Sequence, residues 1–286
     1  MSKNILIKLL LPFLILAMSN YASSQIADPL NPGQVSKPIY IGPVIGYNAV
    51  SHAGTQQVIQ TQNNSIDCPN FEDGSENGFY VGVAFEYLLG GAKNSTSSII
   101  AKLLYSTYPG FVEKEGDQLP TSFNGNVNQP AGQQVTQTLI NFTREIDYSV
   151  ISGEVLYKMN IAGTPIGAVA GLAFDFTMTA TDVQQMKLAS PSNAEFIKVP
   201  NQIEPDWFYP DAKTLQFGQE GGEDIAGAAG LRVGLKLGLQ YEFSFPGFLI
   251  VPHMFYNYGL TSLVNEDQNE WRVSAFQIGT DVRFAF

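Results

Sequence analysis

Residues Leu231 to Phe243 read Leu-Arg-Val-Gly-Leu-Lys-Leu-Gly-Leu-Gln-Tyr-Glu-Phe. Every second side chain, Leu231, Val233, Leu235, Leu237, Leu239, Tyr241 and Phe243, is apolar. Those between are Arg232, Gly234, Lys236, Gly238, Gln240 and Glu242. A period of two is a strand with one oily and one polar face, not a helix. The chain closes on a second such strand. Phe276, Ile278, Thr280, Val282, Phe284 and Phe286 alternate with Gln277, Gly279, Asp281, Arg283 and Ala285. Strands that are oily outside, polar inside and end on a terminal aromatic predict an outer-membrane β-barrel.

Working outward, the same alternation recurs through the chain. The first strand carries Ile39, Ile41, Pro43, Ile45 and Tyr47 on one face, and the second carries Phe79, Val81, Val83, Phe85, Tyr87 and Leu89. The third places Ile99, Ala101, Leu103 and Tyr105 outside, with Lys102, Leu104 and Ser106 inside. The fourth, about 143–160, is least regular: Ile146 and Tyr148 fall out of the register set by Ile151, Val155 and Tyr157, which predicts a bulge near Val150. The fifth faces Leu172, Phe174, Phe176 and Met178 to lipid, the sixth runs over 226–243, and the seventh and eighth complete the count.

The connections between these strands alternate long and short. Polar stretches at 49–77, 112–137, 180–225 and 263–270 are long, and those at 90–97, 162–165 and 246–247 are turns. Short periplasmic turns opposite longer outside loops are the layout of an eight-stranded antiparallel up-and-down transmembrane β-barrel. A soluble β-sandwich would require neither an oily face on every strand nor that alternation.

Residues 1–24 read as a signal peptide removed on export: Lys3 and Lys8, an apolar run from Leu9 to Met18, and Ala22-Ser23-Ser24 before Gln25. That run is too short to cross ~30 Å of hydrocarbon as a helix. Residues 25–37 form a periplasmic lead-in and 38–286 the barrel. The whole chain has 15 basic and 26 acidic residues; loss of Lys3 and Lys8 leaves a mature net charge of −13. So acidic a chain does not suit nucleic acid. Cys68 is the single cysteine and forms no disulfide within the chain.

The residues Tyr256-Asn257-Tyr258-Gly259-Leu260-Thr261-Ser262-Leu263, an acidic loop and the strand to Phe286 resemble the penultimate hairpin of the PorT-like outer-membrane β-barrel family of Bacteroidetes-type, Gram-negative bacteria. Glu154-Val155-Leu156-Tyr157-Lys158 resembles that family's fourth-strand stretch, with Glu154 where the family usually has Pro and Ser262 where it has Asn. The resemblance implies a barrel in the cell envelope and carries no catalytic motif.

The predicted register points ten charges inward: Glu86, Glu154, Asp175, Glu242 and Asp281 against Lys102, Lys158, Arg232, Lys236 and Arg283. An eight-stranded barrel is wide enough only for its own side chains, and buried charges need partners. A plugged, salt-bridged lumen is expected, with inward glycines at 42, 46, 82, 167, 171, 230, 234 and 238 making room for it. An ion-conducting lumen would instead need unpaired charge and free cross-section. An enzyme would need a base, and only His52, at the start of the first loop, and His253, inward on the seventh strand, are available. Neither is placed for catalysis, no His or Cys spacing suits a metal, and no cofactor is implied.

The resulting expectation is a structural or interaction protein for adhesion, envelope integrity or docking, with a narrow channel or an accessory part of a secretion or uptake machine as the alternative. Its expected partners are outer-membrane lipid and lipopolysaccharide, the barrel-assembly machinery through Phe284 and Phe286 on the terminal strand, and a protein at the outside loops. Acids at Asp67, Glu72, Asp73, Glu76, Glu266, Asp267 and Glu270, and aromatics at Trp207, Phe208 and Tyr209, lie in those loops.

Overall fold

The computed structural model describes residues 38–54, 73–89, 96–122, 135–161, 164–191, 195, 207–218, 220–245, 248–264 and 271–286. The expected signal, the lead-in, Cys68, the acids at 67, 72, 266, 267 and 270, and the tips of the short turns lie outside them, as do the side chains of Trp207 and Phe208.

The described residues form thirteen strands: β1 (Ile39–Ala53), β2 (Gly74–Leu89), β3 (Ser97–Thr107), β4 (Gly110–Ser122), β5 (Val135–Asn160), β6 (Ile166–Ser190), β7 (Trp207–Phe208), β8 (Thr214–Phe217), β9 (Glu223–Asp224), β10 (Leu231–Tyr241), β11 (Phe243–Phe245), β12 (Phe248–Gly259) and β13 (Arg272–Ala285). Eight close a ring in the order β1-β2-β3-β5-β6-β10-β12-β13. Closure is direct: β13 pairs antiparallel with β1 from Tyr40↔Ala285 to Ala53↔Arg272. A closed antiparallel ring leaves no edge within the membrane, which is the requirement for crossing lipid with strands.

Alternation sets the two faces. Ile45 is 60% exposed while its neighbour Val44 is buried, and Phe79, Val83, Leu103, Val155, Leu237 and Ile278 are all exposed on the outside. These form the apolar belt. Tyr87, Tyr157, Phe284 and Phe286 stand exposed toward the end where β1 begins and β13 finishes, and Tyr47, Tyr105, Tyr256 and Tyr258 toward the other. Aromatic girdles at both water interfaces flank such a belt in outer-membrane barrels.

Two expected loops contain further strand. Instead of a loop over 112–137, the chain continues past the bend at Tyr108-Pro109 into β4, which leaves β2 and stays on β5 from Gly110↔Ile146 onward. Proline has no N–H to continue the old ladder, and the β2–β3 register stops at Tyr80↔Ser106. Instead of a loop from 180, β6 runs to Ser190, and β8 and β9 add to it from Gln184↔Phe217 and Thr181↔Asp224. A sheet of β4, β5, β6, β8 and β7 therefore rises beyond the barrel rim on one side only.

The expected bulge near Val150 requires a correction of place. The ladder does shift between Ser149 and Val150, but Ser149 faces Thr179 and Val150 faces Thr177, so the extra residue is Met178 on β6. β5 itself never changes face: Ile146, Tyr148, Val150, Ser152 and Glu154 are all buried. Ile146 and Tyr148 break the lipid-facing pattern because they point into an apolar cap on the lumen.

Candidate functional site

All ten charges assigned to the interior lie there, Glu86, Asp175, Asp281 and Arg283 with no exposed surface and Glu242 as the most accessible member. They sort into three units. Nearest the periplasmic end, Glu86 accepts from Arg283 Nη1, from Ser98 Oγ and from Lys158 Nζ, the last at 2.5 Å; Lys158 also bonds Glu242. Arg283 also bonds Asp281, which accepts from Lys102 at 3.1 Å. At mid-depth, Lys236 donates to Glu154 at 2.6 Å. Nearer the mouth, Arg232 donates to Asp175 at 2.7 Å and to the Val273 carbonyl at 2.9 Å, and Ser152 donates to Asp175 at 2.6 Å.

Arg232 and Asp175 are direct partners on the β10–β6 ladder, but other pairs are not the nearest available. Lys102 and Glu154 are Cα partners on β3 and β5, yet Lys102 bonds Asp281 on β13 and Glu154 bonds Lys236 on β10. The Glu154–Lys236 pair passes over β6 between them, where Gly171 and Ala173 hold the facing positions. Small residues on the intervening strand let the two long side chains meet.

Aromatic rings separate these units. Phe255 lies under Lys236 Nζ at 4.8 Å and Lys102 Nζ at 5.3 Å from its centroid, and Arg232 lies over the neighbouring rings of Tyr108 and Tyr148 at 5.2 and 5.3 Å. A cation over a ring face is held by the ring quadrupole even where water is excluded. Two of the inward glycines make room for rings, while Gly42, Gly82 and Gly171 face the backbone of a neighbouring strand. A Cβ on Gly46 would lie 2.1 Å from the Tyr80 ring, and one on Gly238 would lie 2.4 Å from Phe255 Cδ1 and 2.1 Å from the Met254 carbonyl. Of the eight expected to make room for charge, Gly167 is the one seated against a charged side chain, Lys158, while a Cβ on Gly230 would meet nothing within 4 Å.

Above the charged column the lumen becomes apolar. Val50, Tyr108, Ile146, Tyr148, Val150, Ile225, Leu263, Val264, Trp271, Val273 and Ala275 form one buried cluster across the outer mouth. Backbone bonds fold the neighbouring segments onto it: Leu263 N donates to Trp271 O at 2.6 Å, and Ala229 N to Leu263 O at 2.7 Å. This cap was not legible in the alternation, because five members, Tyr108, Ile225, Leu263, Val264 and Trp271, lie outside the strands. Nor was the ion pair beside it, Arg144 Nη2 to Asp182 Oδ2 at 2.6 Å, on strand segments first read as a loop or as irregular.

Both histidines are buried. His253 Nε2 accepts from Tyr80 Oη at 2.7 Å, with its Nδ1 3.4 Å from Asp281 Oδ1. His52 is not in a loop; it ends β1 pointing inward. Its Nε2 meets the carbonyls of Tyr108 at 3.0 Å and Pro109 at 3.2 Å, and its Nδ1 accepts from the Trp271 indole at 3.0 Å. Asn48 acts likewise four residues back on the same face of β1, donating to the carbonyls of Thr107 at 3.0 Å and Phe79 at 3.3 Å. Two side chains of β1 thus hold the carbonyls exposed where β3 departs from β2. Among the described residues no group of His, Cys, Asp and Glu is arranged for a metal ion.

The ring, belt, girdles and polar interior define a bacterial outer-membrane β-barrel. No family model matches the chain, and no curated protein matches it in sequence. Among solved structures it is similar to the attachment invasion locus protein Ail of Yersinia pestis, at 13% identity over 86% of this chain and 99% of that one, with a TM-score of 0.30. It is likewise similar to Neisserial surface protein A, at 12% identity over 88% and 100%, TM-score 0.33. A third is the outer-membrane protease OmpT of Escherichia coli, at 6% identity over 90% and 100%, TM-score 0.35. At these scores the fold assignment rests on the closed ring itself.

Proposed function

We propose that this protein is a non-enzymatic structural or interaction protein of the outer membrane, with a plugged lumen and its working surface on the outside. The observation that carries this reading is the pairing of all ten interior charges with one another, beneath an apolar cap. A conducting path needs mobile ions to meet unpaired charge or water, and paired charges under an oily lid offer neither. The tall sheet of β4, β5, β6, β8 and β7 supplies a rigid platform for contact with a protein partner or with lipopolysaccharide. Both histidines are committed to local hydrogen bonds, which supports a non-catalytic role. Exposed Phe284 on β13 and Phe286 just after it are proposed as the signal read by the barrel-assembly machinery. The Tyr256–Leu263 hairpin supports membership of the PorT-like family.

Planar-bilayer recording on the refolded mature chain, beside Glu86→Gln and Arg232→Gln, tests this. Silent bilayers from a folded, heat-modifiable barrel are expected. Stable conductance steps whose ion selectivity changes in either variant would make the protein a pore instead.

A further inference from the structure

The outer mouth is closed by a hydrogen-bond chain whose polarity leaves His52 only one state. The indole N–H of Trp271 can only donate, so His52 Nδ1 must be the acceptor. The carbonyls of Tyr108 and Pro109 can only accept, so Nε2 must carry the proton. The ring in this arrangement is therefore neutral. A second proton would go on Nδ1 and set one N–H against another at a 3.0 Å separation.

The charges around it do not welcome that proton. The titratable and charged groups at this level are Tyr108 at the β3–β4 bend, Arg144 and Tyr148 on β5, Asp175 and Asp182 on β6, and Arg232 on β10. Arg144 Cζ stands 4.8 Å from the Trp271 ring centroid, and Arg232 lies over Tyr108 and Tyr148. Both carboxylates are already engaged, Asp182 by Arg144 and Asp175 by Arg232. No carboxylate is a hydrogen-bond partner of the imidazole, whereas His253 lies beside Asp281.

Trp271 is also the anchor of the cap. Its ring belongs to the apolar cluster, its backbone carbonyl accepts from Leu263 N, and its backbone N–H donates to Ser262 Oγ at 3.1 Å. We propose that His52 and Trp271 form a pH-operated latch on the outer mouth, shut while His52 is neutral and released when the ring is protonated. Release swings the indole out of the cluster and opens the apolar faces of Leu263 and Val264 to water, changing the surface the barrel presents. The closed state binds one proton fewer than the open one, so it is favoured at neutral pH and lost as pH falls.

The test uses the mature chain refolded in micelles with Trp207→Phe, which leaves Trp271 as the single tryptophan of the two in the sequence. Its emission and acrylamide quenching are followed from about pH 7.5 to about pH 3.5, a range wide enough for a buried imidazole to titrate. A red shift and a several-fold rise in quenching, with a one-proton midpoint and an intact heat-modifiable barrel, are expected. His52→Gln keeps a donor for the carbonyls and an acceptor for the indole but cannot titrate; it should hold Trp271 shielded throughout, and His52→Asn takes its place if that variant does not refold. His253→Gln should leave the transition unchanged. A Trp271 that stays shielded in acid, or a transition that survives in the His52 variants, overturns the latch.

Discussion

The lower lumen and the outer mouth occupy the same inward-facing positions of the same strands, yet they are filled by opposite chemistries. Below, long charged side chains reach across the barrel and neutralise each other in groups. Above, Val50, Ile146, Val150, Val273 and Ala275 from three strands meet Ile225, Leu263, Val264 and Trp271 from outside them in a small hydrophobic core. The charged part works by specific partners, because a buried charge without its counter-ion costs far more than a lost contact. The apolar part works by volume and exclusion of water, which tolerates exchange of one oily group for another. The same wall therefore holds one region that demands chemical matching and one that demands shape.

The largest effect should come from breaking the charged half at its most connected residue. Arg283→Gln leaves both Glu86 and Asp281 short of a partner, and a loss of about 3–5 kcal/mol is expected, read as a lower urea midpoint for unfolding in micelles. Trp271→Ala should cost the mouth about 3 kcal/mol through the cavity left in the cap, while Trp271→Phe should recover more than half of that in the same assay. These two outcomes would sharpen the contrast.

A pair of substitutions tests the contrast from the other side. Glu154→Leu alone strands Lys236 and should cost about 3 kcal/mol, but Glu154→Leu with Lys236→Met should return to within about 1 kcal/mol of the wild type. A double variant as unstable as the single one would show that the mid-lumen pair does more than satisfy itself. At the interface between the regions, Gly279→Ala would bring a Cβ to 2.2 Å from Tyr80 Oη and 2.5 Å from the Ile45 carbonyl. Overpacking of about 1–3 kcal/mol is expected, with the Tyr80–His253 bond displaced. The smallest effect belongs outside: Glu113→Gln on exposed β4 should move the midpoint by less than about 0.5 kcal/mol, and a larger change would mean that the raised sheet is coupled to the barrel.

Much of this was legible in the chain before any coordinates. A strand has a period of two, so Leu231 to Tyr241 declares its two faces without reference to its neighbours, and the same holds for β2 and β13. That local rule places Arg232, Lys236, Asp281 and Arg283 inside, and the alternation of long and short connections counts the strands. Composition and alternation also mark the belt, since lipid-facing positions must be apolar wherever the strand lies in the membrane.

What the alternation could not express is which inward residue meets which. Lys102 lies beside Glu154 on the ladder but bonds Asp281, because strand tilt and the small residues of intervening strands decide which long side chains meet across the lumen. The cap escaped for a related reason: Ile225, Leu263, Val264 and Trp271 carry no periodic signal, and they become a core only when the closed ring brings their separate segments to one mouth. His52 and Asn48 read as ordinary polar residues until Pro109 turns β3 away and leaves carbonyls for them to hold. Periodicity along one strand determined the face of each side chain; closure of the ring, which brings β1 to β13 and β3 to β5 at fixed stagger, decided the partners that meet across the lumen, such as Lys102 with Asp281 and Arg283 with Glu86, since a pairing across a barrel depends on all the strands between.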